Sequence, residues 1–264
     1  MKIGVNFGGY PCSVDEQIAL MEKYGFTATF AGSANPSIDE IMTKCREHGI
    51  VVESHHAPFG RINDIWKEGE EGDSVLAELI CCVDKCEHYG VPALVVHLSS
   101  GERPPRINDV GASRFERLVK YADEHKVTIA FENQRMLGNL AFVLEEFETA
   151  GFCWDVGHET AFAGGKEFMP LFGDRIVALH LHDNHCVHNG DEHLIPFDGI
   201  IDMDKAARRL AEAGYDKAIM LELVRKNSHH YDETDAETYF ARAAEAAREF
   251  ASRVELYKKE ISSK

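Results

Sequence analysis

Short apolar runs alternate with longer amphipathic segments along the whole chain. Each run is rich in Val, Ile, Phe or Thr, as expected for a buried parallel strand, and the segments between the runs repeat their apolar residues at helical spacing. The eight runs cover residues 2–7, 27–32, 51–56, 93–98, 128–133, 152–157, 176–181 and 218–223. The pattern therefore predicts eight strand–helix units.

Several of the helical segments open on Ser, Asn or Asp and close on Gly, as helix capping requires. No change of composition and no low-complexity linker divides the chain, so we expect one domain over residues 1–264. Eight strands that are each followed by a helix favour a single closed (β/α)8 TIM barrel, an α/β fold that commonly reaches about 250 residues. A doubly wound open sheet is the alternative, because the pattern alone does not prove closure.

The chain is strongly acidic, with 28 Lys and Arg against 45 Asp and Glu and a formal charge of −17. This charge opposes binding to a phosphate backbone or an anionic membrane, so we expect a small-molecule substrate rather than nucleic acid or a membrane. The seven cysteines are odd in number and include no Cys-x-x-Cys pair, which indicates reduced thiols. The chain starts on an apolar run without a signal-peptide pattern and contains no apolar stretch near the roughly 18 residues of a membrane helix. We therefore expect a cytoplasmic protein.

Six of the eight runs end on, or next to, a side chain that can bind a metal or transfer a proton. These residues are His56, His97, Glu132, Asp155 with His158, His180 and Glu222, and the loop after the seventh run adds Asp191 and His193. In a closed barrel the carboxyl ends of all strands share one rim, so these residues would converge on one cavity.

A single His or Asp at a strand end is usually structural, but this set is different. Burying Glu132, Asp155 and Glu222 together would cost several kcal/mol per charge through desolvation and repulsion, and a divalent ion removes both costs. Ligands of the His, Asp and Glu types, without Cys, suit Zn, Mn, Co or Fe, and the carboxylates keep Mg compatible. We therefore predict a divalent metal ion as cofactor, with Zn or Mn preferred and Co or Mg as alternatives.

These strand ends, together with "DVGH" at 155–158 and "HAPF" at 56–59, resemble the xylose isomerase-like TIM barrel superfamily over essentially the whole chain. This superfamily includes sugar isomerases and epimerases and also endonuclease IV. The resemblance implies a metal quartet of Glu132, Asp155, His180 and Glu222, contributed by strands 5 to 8. It also implies a homo-oligomer, since relatives are often dimers or tetramers.

The predicted function is that of a metal-dependent isomerase or epimerase acting on a small sugar, a sugar phosphate or a related polyol. Glu132 and Glu222 are the predicted catalytic pair. One carboxylate would remove a proton beside a carbonyl, and the other would return a proton at the neighbouring carbon or on the opposite face. Asp155 and His180 would mainly hold the ion.

An endonuclease IV-like zinc phosphodiesterase acting on abasic DNA is the main alternative. That enzyme binds three zinc ions through nine side chains, and the quartet plus His56, His97, His158, Asp191 and His193 supplies the same residue types. Acidic loops and the net charge oppose duplex binding, so these five residues are predicted as additional metal or substrate ligands. A cyclic-polyol dehydratase would share the site, and a barrel with a purely structural metal is the non-enzymatic alternative.

Residues beyond the strand ends are candidate substrate contacts. We predict Phe7, Asp183 and His185 as contacts and Trp66 as part of a lid. Trp154 and Phe197 are candidates to pack on a sugar. Arg103, Arg106, Arg135 and Lys226 are candidates for an anionic group or are solvated surface charges. Ketose 3-epimerases usually carry an Arg six residues after the strand-7 His, and this chain has Cys186 at that position. This difference argues against the function of a specific ketose epimerase.

Overall fold

Eight parallel strands form the centre of the protein in a computed structural model that describes residues 1–33 and 35–263. The strands are β1 (Ile3–Val5), β2 (Ala28–Gly32), β3 (Val51–His56), β4 (Ala93–Val96), β5 (Thr128–Glu132), β6 (Gly151–Asp155), β7 (Ile176–His180) and β8 (Ile219–Leu221). Strands adjacent in sequence pair in parallel from β1 to β7, and β1 also pairs with β8.

Leu181 completes the ring between β7 and β8. Its N–H donates to the carbonyl of Met220 at 2.9 Å, and its own carbonyl accepts from the N–H of Glu222 at 3.1 Å. The predicted TIM barrel is thereby confirmed, and the open sheet is wrong.

Helices surround the strands, as the amphipathic segments predict. Within the described residues they are α1 (Val14–Tyr24), α2 (Ile38–Glu47), α3 (Glu70–Tyr89), α4 (Asp109–Glu124), α5 (Leu137–Glu146), α6 (Val156–Ala161), α7 (Met169–Phe172), α8 (Met203–Glu212) and α9 (Ala236–Ser262). The start of α1 has a complete capping box, since Ser13 and Glu16 each accept the other's backbone N–H. None of the helices described here has both the length and the apolar composition needed to cross a bilayer.

The sixth strand–helix unit differs from the prediction. The apolar run was expected to continue to residue 157, but β6 ends at Asp155 because its carboxylate caps a new helix, accepting the backbone N–H of His158 at 2.7 Å. Helix α6 therefore begins where a strand was predicted. The next predicted helical segment forms only the single turn of α7, which has Pro at its start.

Alternation along the strands sorts the side chains into two layers. One set packs outward in the main hydrophobic core under the helices. The other fills the barrel interior and includes Val95, Ala130, Cys153, Ala178 and Met220. Because successive residues on one face are two apart, the next inward positions toward the carboxyl ends are residues 97, 132, 155, 180 and 222.

Candidate metal centre

The inward positions at the carboxyl ends of the strands are occupied by ligand-type side chains, as predicted. Their donor atoms fall into four groups, in each of which all atoms lie within 4.8 Å of one another. The main cluster is Glu132, Asp155, His180 and Glu222; the second cluster is His56, His97 and Glu132; and the third cluster is His158, His182, Asp191 and His193. The fourth group, His56, His180 and Glu222, shares all its residues with the main and second clusters. All nine side chains predicted as ligands therefore belong to at least one group.

In the main cluster, one imidazole faces two carboxylates. Nδ1 of His180 lies 3.3 Å from Oε1 of Glu132 and 3.3 Å from Oε2 of Glu222. The ring is fully buried and stacks on Phe30, with centroids 4.4 Å apart, so its orientation is fixed by packing. Three carboxylates around one imidazole, without a Lys or Arg ion pair among the described residues of the cluster, are the donor set that a divalent cation neutralises.

Glu132 belongs to both the main and the second cluster. Its side chain is 1% exposed, and its Oε2 atom lies 2.7 Å from Nε2 of His97 and 3.2 Å from Nε2 of His56. Nδ1 of His56 faces the carbonyl of Ala57 at 2.8 Å, which holds the ring with Nε2 toward Glu132. One carboxylate is thus placed between two candidate metal positions.

The third cluster is built around Asp191. Its Oδ2 atom lies 3.0 Å from Nε2 of His193 and 3.6 Å from Nε2 of His158. Nδ1 of each ring faces a backbone carbonyl, that of Glu222 at 3.1 Å for His193 and that of Asn133 at 3.0 Å for His158. These carbonyls favour a proton on Nδ1 and leave Nε2 as the metal-binding atom.

His182 is a member of this site that the sequence analysis missed. It is fully buried, its Nε2 atom lies 3.1 and 3.2 Å from the two carboxylate oxygens of Asp155, and its ring stacks on His193 with centroids 4.0 Å apart. A Cβ atom at Gly157 would meet the ring at 1.9 Å, so only glycine leaves room for it. Its position two residues after His180 is the signal that could have found it, because such residues share a face of a strand.

Buried acids and histidines of these clusters shift one another's pKa values. Burial opposes charge on His158, but Asp155 and Asp191 outweigh it and raise the pKa of His158 to about 10. Burial also opposes charge on His193, and Asp191 raises its pKa to about 9. The surrounding histidines outweigh burial at Glu132 and Asp191 and hold the pKa of both carboxyls well below the usual range. Without a metal, protons on His158 and His193 offset part of the carboxylate charge at neutral pH, and a divalent ion would replace those protons.

The clusters open into a cavity of roughly 160 Å³ at the mouth of the barrel. It is lined by His56, Phe59, His97, Ser100, Gly101, Glu132, Gln134, Arg135, His158, Phe162, Asp191, His193 and Glu222. Phe59, Gln134 and Phe162 were not predicted, although Phe59 ends the quoted "HAPF" motif. Of the four cations considered for an anionic group, Arg135 is the one that lines this cavity in the described part of the chain.

The aromatic residues predicted to contact substrate are not among the residues that line this cavity. Trp66 is buried against Phe115 and donates its indole N–H to the carbonyl of Leu98 at 2.8 Å, so it belongs to the core rather than to a lid. Phe7 is also buried in the main core. An aromatic residue near a strand end packs under the helices as readily as it lines the mouth, and the sequence does not separate the two.

Trp154 and Phe197 are likewise placed away from the cavity. Trp154 points outward from β6 and donates its indole N–H to Glu159 at 2.9 Å. The guanidinium of Arg253 lies over the ring of Phe197 at 4.5 Å, which places that ring against helix α9.

Asp183 and His185 are also structural or peripheral rather than part of the cavity wall. The buried carboxylate of Asp183 accepts four backbone N–H groups and thereby fixes the loop after β7. His185 is exposed and lies 2.9 Å from a carboxylate oxygen of Glu192.

Comparison with known proteins agrees with this architecture. A family model described as "Xylose isomerase-like TIM barrel" matches residues 18–250. The chain is 36% identical over 109 residues to the uncharacterized protein y4fM of Sinorhizobium fredii, with 41% of this chain and 34% of that protein covered. It is 29% identical over 190 residues to the uncharacterized protein MJ1311 of Methanocaldococcus jannaschii, with 63% and 62% covered. The chain thus spans about a third of the length of the first of these curated relatives and less than two thirds of the length of the second.

Solved structures of similar fold include sugar epimerases. D-psicose 3-epimerase from Clostridium cellulolyticum H10, crystallised with D-tagatose, superposes with a TM-score of 0.79 at 13% identity, covering 96% of this chain and 99% of that one. An L-ribulose 3-epimerase superposes with a TM-score of 0.76 at 15% identity, covering 99% of this chain and 97% of that one. A xylose isomerase domain protein from Planctomyces limnophilus superposes with a TM-score of 0.72 at 16% identity, covering 96% of this chain and 98% of that one. At these identities the likeness establishes the fold, and the family match establishes that the chain belongs to the xylose isomerase-like TIM barrel family.

Proposed function

We propose that this protein is a divalent-metal-dependent isomerase or epimerase that acts on a small sugar, a sugar phosphate or a related polyol. The observation that carries the proposal is that Glu132 and Glu222, from different strands, both belong to the main cluster and both line one cavity. Family membership and the 3-epimerases among the structures of similar fold support the same reaction class.

The donor set fits a metal ion held by Glu132, Asp155, His180 and Glu222, with Zn or Mn preferred and Co or Mg as alternatives. Such an ion would polarise the substrate carbonyl and stabilise the negative charge that develops on its oxygen. Asp155 and His180 act mainly as ligands in this proposal. Asp155 is oriented for that role by His182 and by the start of helix α6.

Glu132 and Glu222 transfer the protons. The contacts of Glu222 with His180 and His193 both use Oε2, which leaves Oε1 free to face the cavity and to remove a proton beside the carbonyl. Both oxygens of Glu132 are approached by imidazoles, so a proton arriving there can be passed on through these neighbours. Two carboxylates in one cavity are what proton removal and return at neighbouring carbons, or on two faces of one carbon, require.

The size of the cavity favours a small substrate. Sites for drug-sized ligands usually enclose about 300–1,000 Å³, whereas this cavity is roughly 160 Å³. A monosaccharide or a polyol of similar size suits this space better than a polymer does.

The test is turnover of a panel of aldoses, ketoses, their phosphates and cyclic polyols, followed by NMR. Protein stripped with a chelator should be inactive and should recover when Mn or Zn is returned. The matched variant is Glu222→Gln, which keeps the size of the side chain and removes its basicity. Equal turnover in the stripped and the reloaded protein would overturn the proposal.

A zinc phosphodiesterase is the second candidate, favoured by one specific observation. The second and third clusters add candidate metal positions beside the main one, and together the clusters contain all nine side chains that match the ligand types of endonuclease IV. Against it stand the charge of −17 and a cavity wall in which Arg135 is the one Lys or Arg among the described residues. Nicking of a duplex containing an abasic site by zinc-loaded protein, without any sugar turnover, would favour this candidate.

A cytoplasmic location and self-association remain part of the proposal. All seven cysteines are free thiols, which agrees with a reducing compartment. Self-association is supported by the family resemblance.

A further inference from the structure

Arg135 is a positive charge that the protein holds at the mouth of the metal cavity without an acidic partner. The chain has 45 acidic residues, yet no carboxylate lies within ion-pair distance of this guanidinium in the described ranges. Several other arginines also lack a carboxylate, but among the described residues Arg135 is the arginine that lines the cavity beside the metal-ligating side chains. Its unpaired charge is therefore available to an external anion at that place.

The guanidinium is fixed in place by three separate segments. Nε donates to the carbonyl of Gly101 at 2.9 Å, and Nη1 donates to Oδ1 of Asn189 at 2.5 Å. Its carbon lies 4.3 Å from the ring centroid of Phe162, so the planar group stacks on an aromatic face. These contacts come from the loops after β4 and β7 and from the residue that follows α6. They limit the conformational entropy that ligand binding would otherwise cost.

The acidic residue that these hydrogen bonds lead to is Glu102, and its carboxylate contacts Asn189 rather than Arg135. Glu102 accepts from Nδ2 of Asn189 at 3.1 Å, and the backbone N–H of Asn189 donates to the carbonyl of Ala161 at 2.8 Å. Asn189 thus separates the carboxylate from the guanidinium. It presents an amide oxygen to Arg135, which orients the group without neutralising it.

The remaining donors of Arg135 are available to a ligand. A guanidinium has five N–H donors, of which Nε and one on Nη1 are used, so Nη2 keeps both of its own. Phe162 also packs on His158, with ring centroids 4.6 Å apart, so the Arg135 plane and a candidate metal ligand both contact one aromatic ring. One small molecule can therefore reach both Arg135 and the clusters within the cavity that they line.

We propose that Arg135 forms an anion subsite and that the substrate carries a phosphate or a carboxylate group in addition to its reacting carbon. This inference rests on the proposed function for the identity of the reacting part, but the subsite itself does not. Neutral sugars of the same size would lack the charge-assisted hydrogen bonds and would bind more weakly.

The experiment measures binding of inorganic phosphate and of acetate, each as a separate probe, to the metal-loaded full chain by calorimetry. Arg135→Gln should weaken binding about 10- to 100-fold, the loss expected for hydrogen bonds to a charged group. Arg103→Gln is the matched control, because Arg103 is exposed, carries the same charge and does not line the cavity. Its affinity should equal that of the unmodified protein.

The outcomes separate this proposal from the proposed function. Dependence of phosphate binding on Arg135 indicates a phosphorylated substrate, and dependence of acetate binding indicates an acid. Equal binding of both probes by Arg135→Gln and by Arg103→Gln would overturn the subsite, even if the protein isomerises neutral sugars. Arg135-dependent binding without any isomerase activity would retain the subsite and remove the proposed function.

Discussion

Asp183→Asn is an informative perturbation because the carboxylate of Asp183 holds the loop that carries two candidate metal ligands. Oδ1 accepts the backbone N–H groups of Asn184 and Ile201, at 2.8 and 3.0 Å. Oδ2 accepts those of Phe197 and Gly199, at 3.0 and 3.1 Å. The side chain is fully buried, so water cannot replace these bonds.

An asparagine cannot satisfy this arrangement in either orientation of its amide. One oxygen position becomes an NH₂ group that faces two backbone N–H donors, and both donors lose their acceptor. A buried donor left without a partner costs about 1–3 kcal/mol, so two of them should lower the free energy of unfolding by roughly 2–6 kcal/mol. For a chain of this size about 2 °C of Tm corresponds to 1 kcal/mol, which gives a fall in Tm of roughly 4–12 °C.

The assay is thermal unfolding of metal-loaded protein, followed by circular dichroism, with Asp174→Asn as the control. Asp174 is exposed, so its variant makes the same chemical change without touching the buried bonds. Metal content should also fall, because Asp191 and His193 lie in the loop that Asp183 anchors. A Tm of Asp183→Asn within 1 °C of the control would refute the role of Asp183 in anchoring the loop. A rise in KM without a change in Tm would instead favour the substrate contact predicted from the sequence.

Three further results are expected. Glu132→Gln and Glu222→Gln should each lower kcat by about 100-fold or more, the usual value of acid–base catalysis, with the fold retained by circular dichroism; a variant that keeps most of its activity would contradict the pairing. His180→Ala should remove one equivalent of metal, measured by elemental mass spectrometry, and full occupancy would contradict the ligand assignment. Because the pKa values of about 10 for His158 and about 9 for His193 leave both protonated at pH 7, metal uptake by the third cluster should release protons and strengthen as pH rises. Calorimetry at pH 7 in two buffers of different ionisation enthalpy measures that release, and identical heats would argue against it.

The fold was predictable because its pattern is local and repeated. Every apolar run became a strand, and the ligand-type residues at the run ends became the rim of the barrel, since alternation fixes which side chains point inward. The exception was the sixth unit, where Asp155 ends β6 by capping α6. A cap and a metal ligand use the same residue type, so the sequence did not show that the strand stops there.

The wall of the cavity was less predictable than the ligands. Trp66 and Phe7 lie in the core and Asp183 anchors a loop, whereas Phe59 and Phe162 line the mouth. Aromatic residues in loops have no periodicity that assigns them to a layer, and a buried aspartate that accepts backbone N–H groups looks the same in sequence as one that contacts substrate. Long-range packing decides these positions.

Exchange of substrate hydrogen with solvent separates proton transfer at carbon from phosphodiester cleavage. Metal-loaded protein would be incubated in D₂O with the sugar and sugar-phosphate panel, and deuterium at the carbons next to the carbonyl would be located by NMR and mass spectrometry. We expect deuterium, or inversion, at one such carbon for at least one substrate, and neither with Glu222→Gln. Absence of exchange throughout the panel, in protein that carries its full complement of metal and cleaves an abasic-site duplex, would rule out the proposed isomerase or epimerase.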